Sequence, residues 1–494
     1  MLGSSKQSWF SQNLSKTNYY WYNVGYGKYP TGSSQPYYPE DSGFTTLPAG
    51  GLVQYGQIFN ANAAVTGTST VGGLTIFNKR GPVITYLNSN ITTNGTSILA
   101  ADTTSNGLIW ALQGAGNDGN QYASLAKFNP DGSNVWSYNI TGFNLGSSNA
   151  HTIGSSSHFK VTNSGNIIVA TPLDGASGTT TANVIVSMTQ TPTINWANKL
   201  SGVGPGQGIG GGNQGGFTVD SSGNIYAVYY INALTYLIKL DSGGNIVWQK
   251  QLINSGGSGG SIYLSTDSYG NINISWLLDS GGNTYIMQVS STGSINWQYT
   301  IRNNDAGFQI FYPGFISTDT TGNILLTGSA STSNFIGVPL IKLDTYGTLL
   351  FSNYLYIARP DAGSSSDLFD PVGPAQITSN VMYASAFEQK PATYSYNWNF
   401  ALPPNGSYTG NTWVNGFTGN TVSYIGLSNV SLVSTSNITT STGNITSSSV
   451  TGSYTIGSSI TYNYVNQPMA ANLNSLGSSI QPTPTPPGPY SASY

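Results

Sequence analysis

Two histidines, His151 and His158, stand seven residues apart in the segment HTIGSSSH. A helical zinc pair places its imidazoles four residues apart with a carboxylate between them, so this spacing does not describe a metal site. The chain has only two glutamates, Glu40 and Glu388. Glycoside chemistry needs two carboxylates facing one sugar. Asp131, Asp220, Asp241, Asp267, Asp319 and Asp344 instead recur at turn-like positions far apart in sequence. Asp361, Asp367 and Asp370 form the densest acidic group, with oxygen ligands that could suit Ca²⁺, but they lack the alternating Asp pattern of a calcium loop. The glycine-rich stretch GVGPGQGIGGGNQGG at 202–216 lacks the Lys-Ser/Thr that closes a phosphate loop. Cysteine is absent, which removes thiol nucleophiles, thiolate metal sites and disulfides. These residues predict no catalytic, metal or cofactor site, and a chain that is not an enzyme.

The elements that carry these residues are unusual in charge. Of 494 residues only 14 are Lys or Arg and 17 are Asp or Glu, 6% in all, where about 25% is ordinary. Aromatic residues make 12% and glycine contributes 62 positions. No basic stripe exists to neutralise nucleic-acid phosphates or an anionic membrane surface. No apolar run is long enough to span a bilayer, and the first residues lack the apolar core of a secretory signal.

Most of the chain is organised by a repeat. A strand, a four-residue turn with glycine and a strand bearing a large ring recur as KFNPDGSNVW, KLDSGGNIVW, QVSSTGSINW and KLDTYGTLLF. VSMTQTPTINW is a variant with Pro192 in the glycine position, and IFNKRGPVITY and ALPPNGSYTG are weaker copies. The turn positions are Gly81, Gly132, Pro192, Gly244, Gly293, Gly347 and Gly406, spaced 49 to 60 residues apart. A second turn followed by a β-rich run, such as SGNIYAVYY or TGNILLTG, precedes each hairpin. A period near 54 residues suits one four-stranded sheet, and seven such sheets arranged radially make a β-propeller. Trp136, Trp196, Trp248, Trp297 and Phe351 fall four residues after their turn positions, a fixed phase that predicts packing between neighbouring blades.

The pattern Asp241, Gly244, Trp248 resembles the tryptophan-docking repeat of quinoprotein-like (PQQ-type) propellers, with Asn129 and Ser290 as departures at the first position. The resemblance implies an all-β, seven-bladed scaffold. Quinoprotein dehydrogenases carry a vicinal cysteine pair and acidic calcium ligands, and a chain without cysteine departs from that chemistry.

The expected organisation is an extended aromatic-rich arm at 1–49, the propeller at 50–415, a small uncharged β-rich region at 416–465 and a proline-rich tail at 466–494. Tyr19, Tyr20, Trp21, Tyr22, Tyr37 and Tyr38 of the arm are the expected assembly contacts. From Pro391 to Tyr494 there is no Asp, Glu, Lys, Arg or His. Soluble sheets protect their edges with charge, so a β-rich stretch without it invites another chain. The composition resembles tail and fibre proteins of tailed phages. The expected function is therefore a structural virion protein, made in a host cytoplasm without a signal peptide. Its expected partners are copies of itself and other virion proteins, with no nucleic acid and no membrane insertion. The alternative is an adhesin for host glycans or receptors.

Overall fold

In the computed structural model the chain is all-β, a ring of seven sheets with no helix among the described residues. The described residues are 20–26, 43–59, 70–78, 81–88, 97–114, 123–141, 158–174, 180–191, 193–201, 216–231, 234–254, 262–277, 284–303, 309–331, 335–358, 368–390, 394–407, 409–414, 421–426, 430–434, 438–442, 446–449, 455–459, 462–464 and 472–475. Among the described residues no helix is long and apolar enough to cross a membrane.

Six blades are built locally as antiparallel four-stranded meanders: blade 1 at 43–88, blade 2 at 97–141, blade 3 at 158–201, blade 4 at 217–254, blade 5 at 262–303 and blade 6 at 309–358. Blade 7 takes its inner strands from 368–402. Alternation along each strand sends apolar side chains to the two faces of the sheet, and both faces are covered by neighbouring blades. The core is accordingly seven layers, one at each junction. Leu237 and Tyr226 of blade 4 pack with Ile274 and Met287 of blade 5. Phe44 and Leu52 of blade 1 pack with Val381 and Tyr383 of blade 7 and close the ring.

Closure uses the N-terminal segment. After Leu402 the chain leaves blade 7 before supplying its fourth strand, and Trp21–Tyr26 fills that place, pairing antiparallel with Tyr394–Leu402. Gly43–Thr46 is the innermost strand of blade 1. Residues 20–26 and 43–46 thus belong to the ring and not to a separate arm, because the open edge of blade 7 presents unpaired backbone groups that must be satisfied.

The segment expected to form a small C-terminal β-region does not form a body of its own. Its strands are dealt out one per blade, as the fifth strand at the outer edge. Thr421–Gly426 joins blade 6, Val430–Ser434 blade 5, Ile438–Thr442 blade 4 and Thr446–Ser449 blade 3. Thr455–Ser459 then joins blade 2, Tyr462–Tyr464 blade 1 and Asn472–Ser475 the closing strand of blade 7. A further strand, Asn411–Val414, pairs outside Thr421–Gly426. This belt runs round the rim against the order in which the blades were laid down. Its geometry follows from strand twist. Neighbouring strands rotate by about 20–25°, so the fifth strand lies roughly 80–100° from the first and runs along the circumference. Belt strands laid end to end then need only two- to seven-residue links.

Candidate functional site

Three places on the ring can do work: the junctions between blades, the axis and the rim. At the junctions a large ring from one blade lies on the glycine turn of the next. Trp196 Nε1 donates to Ser242 O at 2.9 Å, Trp248 Nε1 to Ser291 O at 2.9 Å and Trp297 Nε1 to Thr345 O at 3.4 Å. The turn glycines have positive φ, 84° at Gly244 and 83° at Gly347. A Cβ on Gly244 would stand 2.8 Å from Trp196 and one on Gly406 2.7 Å from Phe351. Trp136 packs edge-on to Trp110 of its own blade and against the cluster shared by blades 2 and 3. Pro192 lies outside the described residues.

The turn aspartates fix the same end of the ring. Asp131, Asp220, Asp241, Asp267, Asp319 and Asp344 each accept the backbone N–H two residues on, at 2.9–3.0 Å. Asp319 also meets Lys342 Nζ at 3.3 Å. Burial opposes ionisation of Asp319, but bonds from Thr321 and Asn323 and the Lys342 charge outweigh it and hold its carboxyl below the ordinary range. Glu388 is buried and accepts Trp398 Nε1 at 2.7 Å. These carboxylates are committed to structure. Asp370 lies in the inner part of blade 7, where burial raises its carboxyl. Asp361, Asp367, Glu40, His151 and nearly all of 202–216 lie outside the described residues. No group of three metal-ligating side chains occurs among the described residues.

On the axis the inner strands of all seven blades enclose a cavity of about 410 Å³. Its wall includes Thr45, Asp102, Lys160, Thr218, Ser265 and Ser317, each two residues before the turn of its blade. Most junctions along this wall are tied by hydrogen bonds. Thr103 donates to Thr46 O at 2.7 Å, and Thr46 to Gln376 Oε1 at 2.9 Å. Asp102 Oδ2 accepts from the Val161 amide at 2.8 Å, and Thr266 donates to Val219 O at 3.2 Å. Ser265 meets Thr318 at 2.7 Å, and Ser317 donates to Ala375 O. His158, which sequence alone places in a loop or strand without function, is in the wall and 2% exposed. Its ring stacks on Phe217 at 6.1 Å, and its Nε2 has no hydrogen-bond partner. Burial, helped by the nearby Lys160 charge, pushes the imidazole down to about 3, so it is neutral at physiological pH. The cavity is invisible in the sequence because its residues come a few at a time from seven separate blades.

At the rim the outermost strand of every sheet comes from 411–475. Three of the expected assembly aromatics are described. Tyr20 is half-buried and packs inside the ring against the clusters on both sides of blade 7, because the closing strand that follows it draws it there. Trp21 and Tyr22 are in that closing strand, paired with Ala401 and Phe400. Tyr19, Tyr37 and Tyr38 lie outside the described residues.

No family model and no curated protein matches the chain. Among solved structures it is similar to the fungal lectin of Aleuria aurantia, a six-bladed β-propeller with a novel fucose recognition mode. That lectin is 16% identical, the match covers 66% of this chain and 98% of the lectin, and the TM-score is 0.36. Polysaccharide lyase Uly1 is 10% identical over 78% of this chain and 98% of its own, with a TM-score of 0.41. The tail fibre of Staphylococcus aureus phage P68 is 10% identical over 62% of this chain and 50% of its own, with a TM-score of 0.27. Likeness at this level carries no functional argument.

Proposed function

We propose that the chain is a structural subunit of a virus particle, a tail component of a tailed phage such as a nozzle, baseplate or fibre element. It acts by assembling with its own copies and with other virion proteins, without catalysis. The observation that carries this reading is the rim. The strands at the outer edge of all seven sheets lie in a single long stretch, 391–494, in which no residue is charged. Edge strands of proteins that stay alone carry lysine, proline or bulges that discourage pairing. Here the outer edge lacks that charge, and Val433 in the blade 5 belt strand is exposed at 37%. A rigid ring with such a rim suits stacking or side-by-side packing in a particle. The low-charge Gly/Ser/Thr/Asn/Tyr composition supports the viral part of the reading, and the quinoprotein-like resemblance is taken as one of scaffold.

The test is the mass of the full-length protein by light scattering after gel filtration. The chain is expected to form a defined oligomer. A V433K/T412K variant, with a lysine on the outermost strands of blades 5 and 6, is expected to shift toward monomer with an unchanged unfolding midpoint. A wild-type monomer over the accessible concentration range overturns the reading.

A further inference from the structure

The axial cavity has one arc unlike the rest. Every other junction along the inner strands is tied by a side chain that bonds across it: 1 to 2 through Thr103, 2 to 3 through Asp102, 4 to 5 through Thr266, 5 to 6 through Ser265, 6 to 7 through Ser317 and 7 to 1 through Thr46. Between blades 3 and 4 no bond links the inner strands themselves among the described residues; the tie lies past their ends, where Asn163 Nδ2 donates to Ser221 O at 3.5 Å. The wall there holds Lys160, whose ammonium has neither a hydrogen bond nor an ion pair among the described residues, and His158, whose Nε2 is buried without a partner. Thr218 stands on the facing strand of blade 4.

A buried polar atom without a partner is costly to the fold, so it marks a place where a ligand can bond at little competing cost. Lys160 excludes a cation as that ligand. Asp102 is in the wall of the adjacent blade, its oxygens already holding the Thr103 and Val161 amides, and its charge disfavours a doubly charged anion such as phosphate. A single carboxylate fits both. The rest of the wall is hydroxyl- and amide-rich (Thr45, Thr266, Thr318, Gln376), and about 410 Å³ lies at the small end of ligand cavities.

We propose that this arc binds the carboxylate of an acidic sugar of uronate size. Lys160 Nζ and the Nε2–H tautomer of His158 donate to the carboxylate, while the Thr and Ser ring meets the sugar hydroxyls. The site is separate from the rim and does not depend on oligomerisation.

The chain has two histidines, so imidazole resonances report the site directly, with His151 as the internal comparison. The full-length protein is titrated with D-glucuronate, with D-glucose and with acetate while the histidine ring signals are followed by NMR. Glucuronate is expected to move the His158 signal saturably, glucose to leave it in place, and acetate to bind at least ten-fold more weakly. K160M is expected to weaken glucuronate at least ten-fold, and K250M, far from the axis, to match the wild type. An unmoved His158 signal, an acetate midpoint equal to that of glucuronate, or unchanged affinity in K160M overturns the proposal. The three-ligand comparison on the unaltered chain decides the matter if K160M disturbs folding.

Discussion

Gly347 shows how a single residue holds two blades together. Its φ of 83° is costly for any side chain, and a Cβ there would stand 2.6 Å from Tyr299 and 3.2 Å from Trp297 of the preceding blade. Gly410 has a similar φ of 91° with nothing within 4 Å. The two positions separate backbone strain from docking. Gly410→Ala is expected to cost about 1 kcal/mol, the left-handed penalty alone. Gly347→Ala is expected to cost about 3 kcal/mol, since the ring of the neighbouring blade must also move. Urea unfolding of the two variants reads the difference. The turn carboxylates give the acid limit. The carboxyls of Asp319 and Asp241 lie below their ordinary value, because hydrogen bonds outweigh the burial that opposes ionisation. Groups of this kind stabilise the fold above the unfolded pKa, near 4, and lose that contribution as the pH falls through the native value. The urea midpoint is therefore expected to drop on acidification below about pH 4, and to drop less in D319N than in the wild type. The turn glycines and aspartates were legible in the sequence because each obeys a local rule. Lys160 and His158 were not, since nothing in HTIGSSSHFKV states that blade 4 will leave them unbonded.

At the scale of elements, the strands with turn chemistry could be read and the strands without it could not. Gly-containing turns at 49- to 60-residue spacing announce the hairpins. Most of the inner strands are short, as in Phe217–Val219 and His158–Val161, and carry too little pattern to stand out. The belt strands begin at 421, 430, 438, 446, 455, 462 and 472, a beat of seven to ten residues written in Ser, Thr, Asn and Val. Their β character shows in the sequence, but their partners are set by the twist of the blades, which no local pattern records. The closing strand was hidden for the same reason: WYNVGY pairs with Tyr394–Leu402, over 350 residues away. Deleting residues 1–26 is expected to open blade 7 and expose the Phe400 and Trp398 layer. The result should be a lowered and less cooperative thermal transition. Deleting 427–494 bares the fourth strand of six blades but leaves the seven apolar layers, so the ring is expected to persist with a lower midpoint and to aggregate. Scanning calorimetry with light scattering tells the two outcomes apart.

At the scale of the whole molecule, the path of the chain doubles back on itself. The outgoing pass crosses from blade 1 to blade 7 in order, and the belt returns from blade 6 to blade 1 and then to blade 7. The step from 402 to 411 adds a second crossing between blades 7 and 6, and the step from 26 to 43 adds one between blades 7 and 1. Each of the seven boundaries is thereby spanned by two covalent links. A protease that cuts one inter-blade connection, within 202–215 for instance, leaves the neighbouring blades still tethered through the other pass. Such a nicked protein should run as fragments under denaturing conditions yet elute at its native size, and separation of blades requires two cuts at the same boundary. For a protein exposed to proteases, this winding is armour made of topology, obtained without a single disulfide.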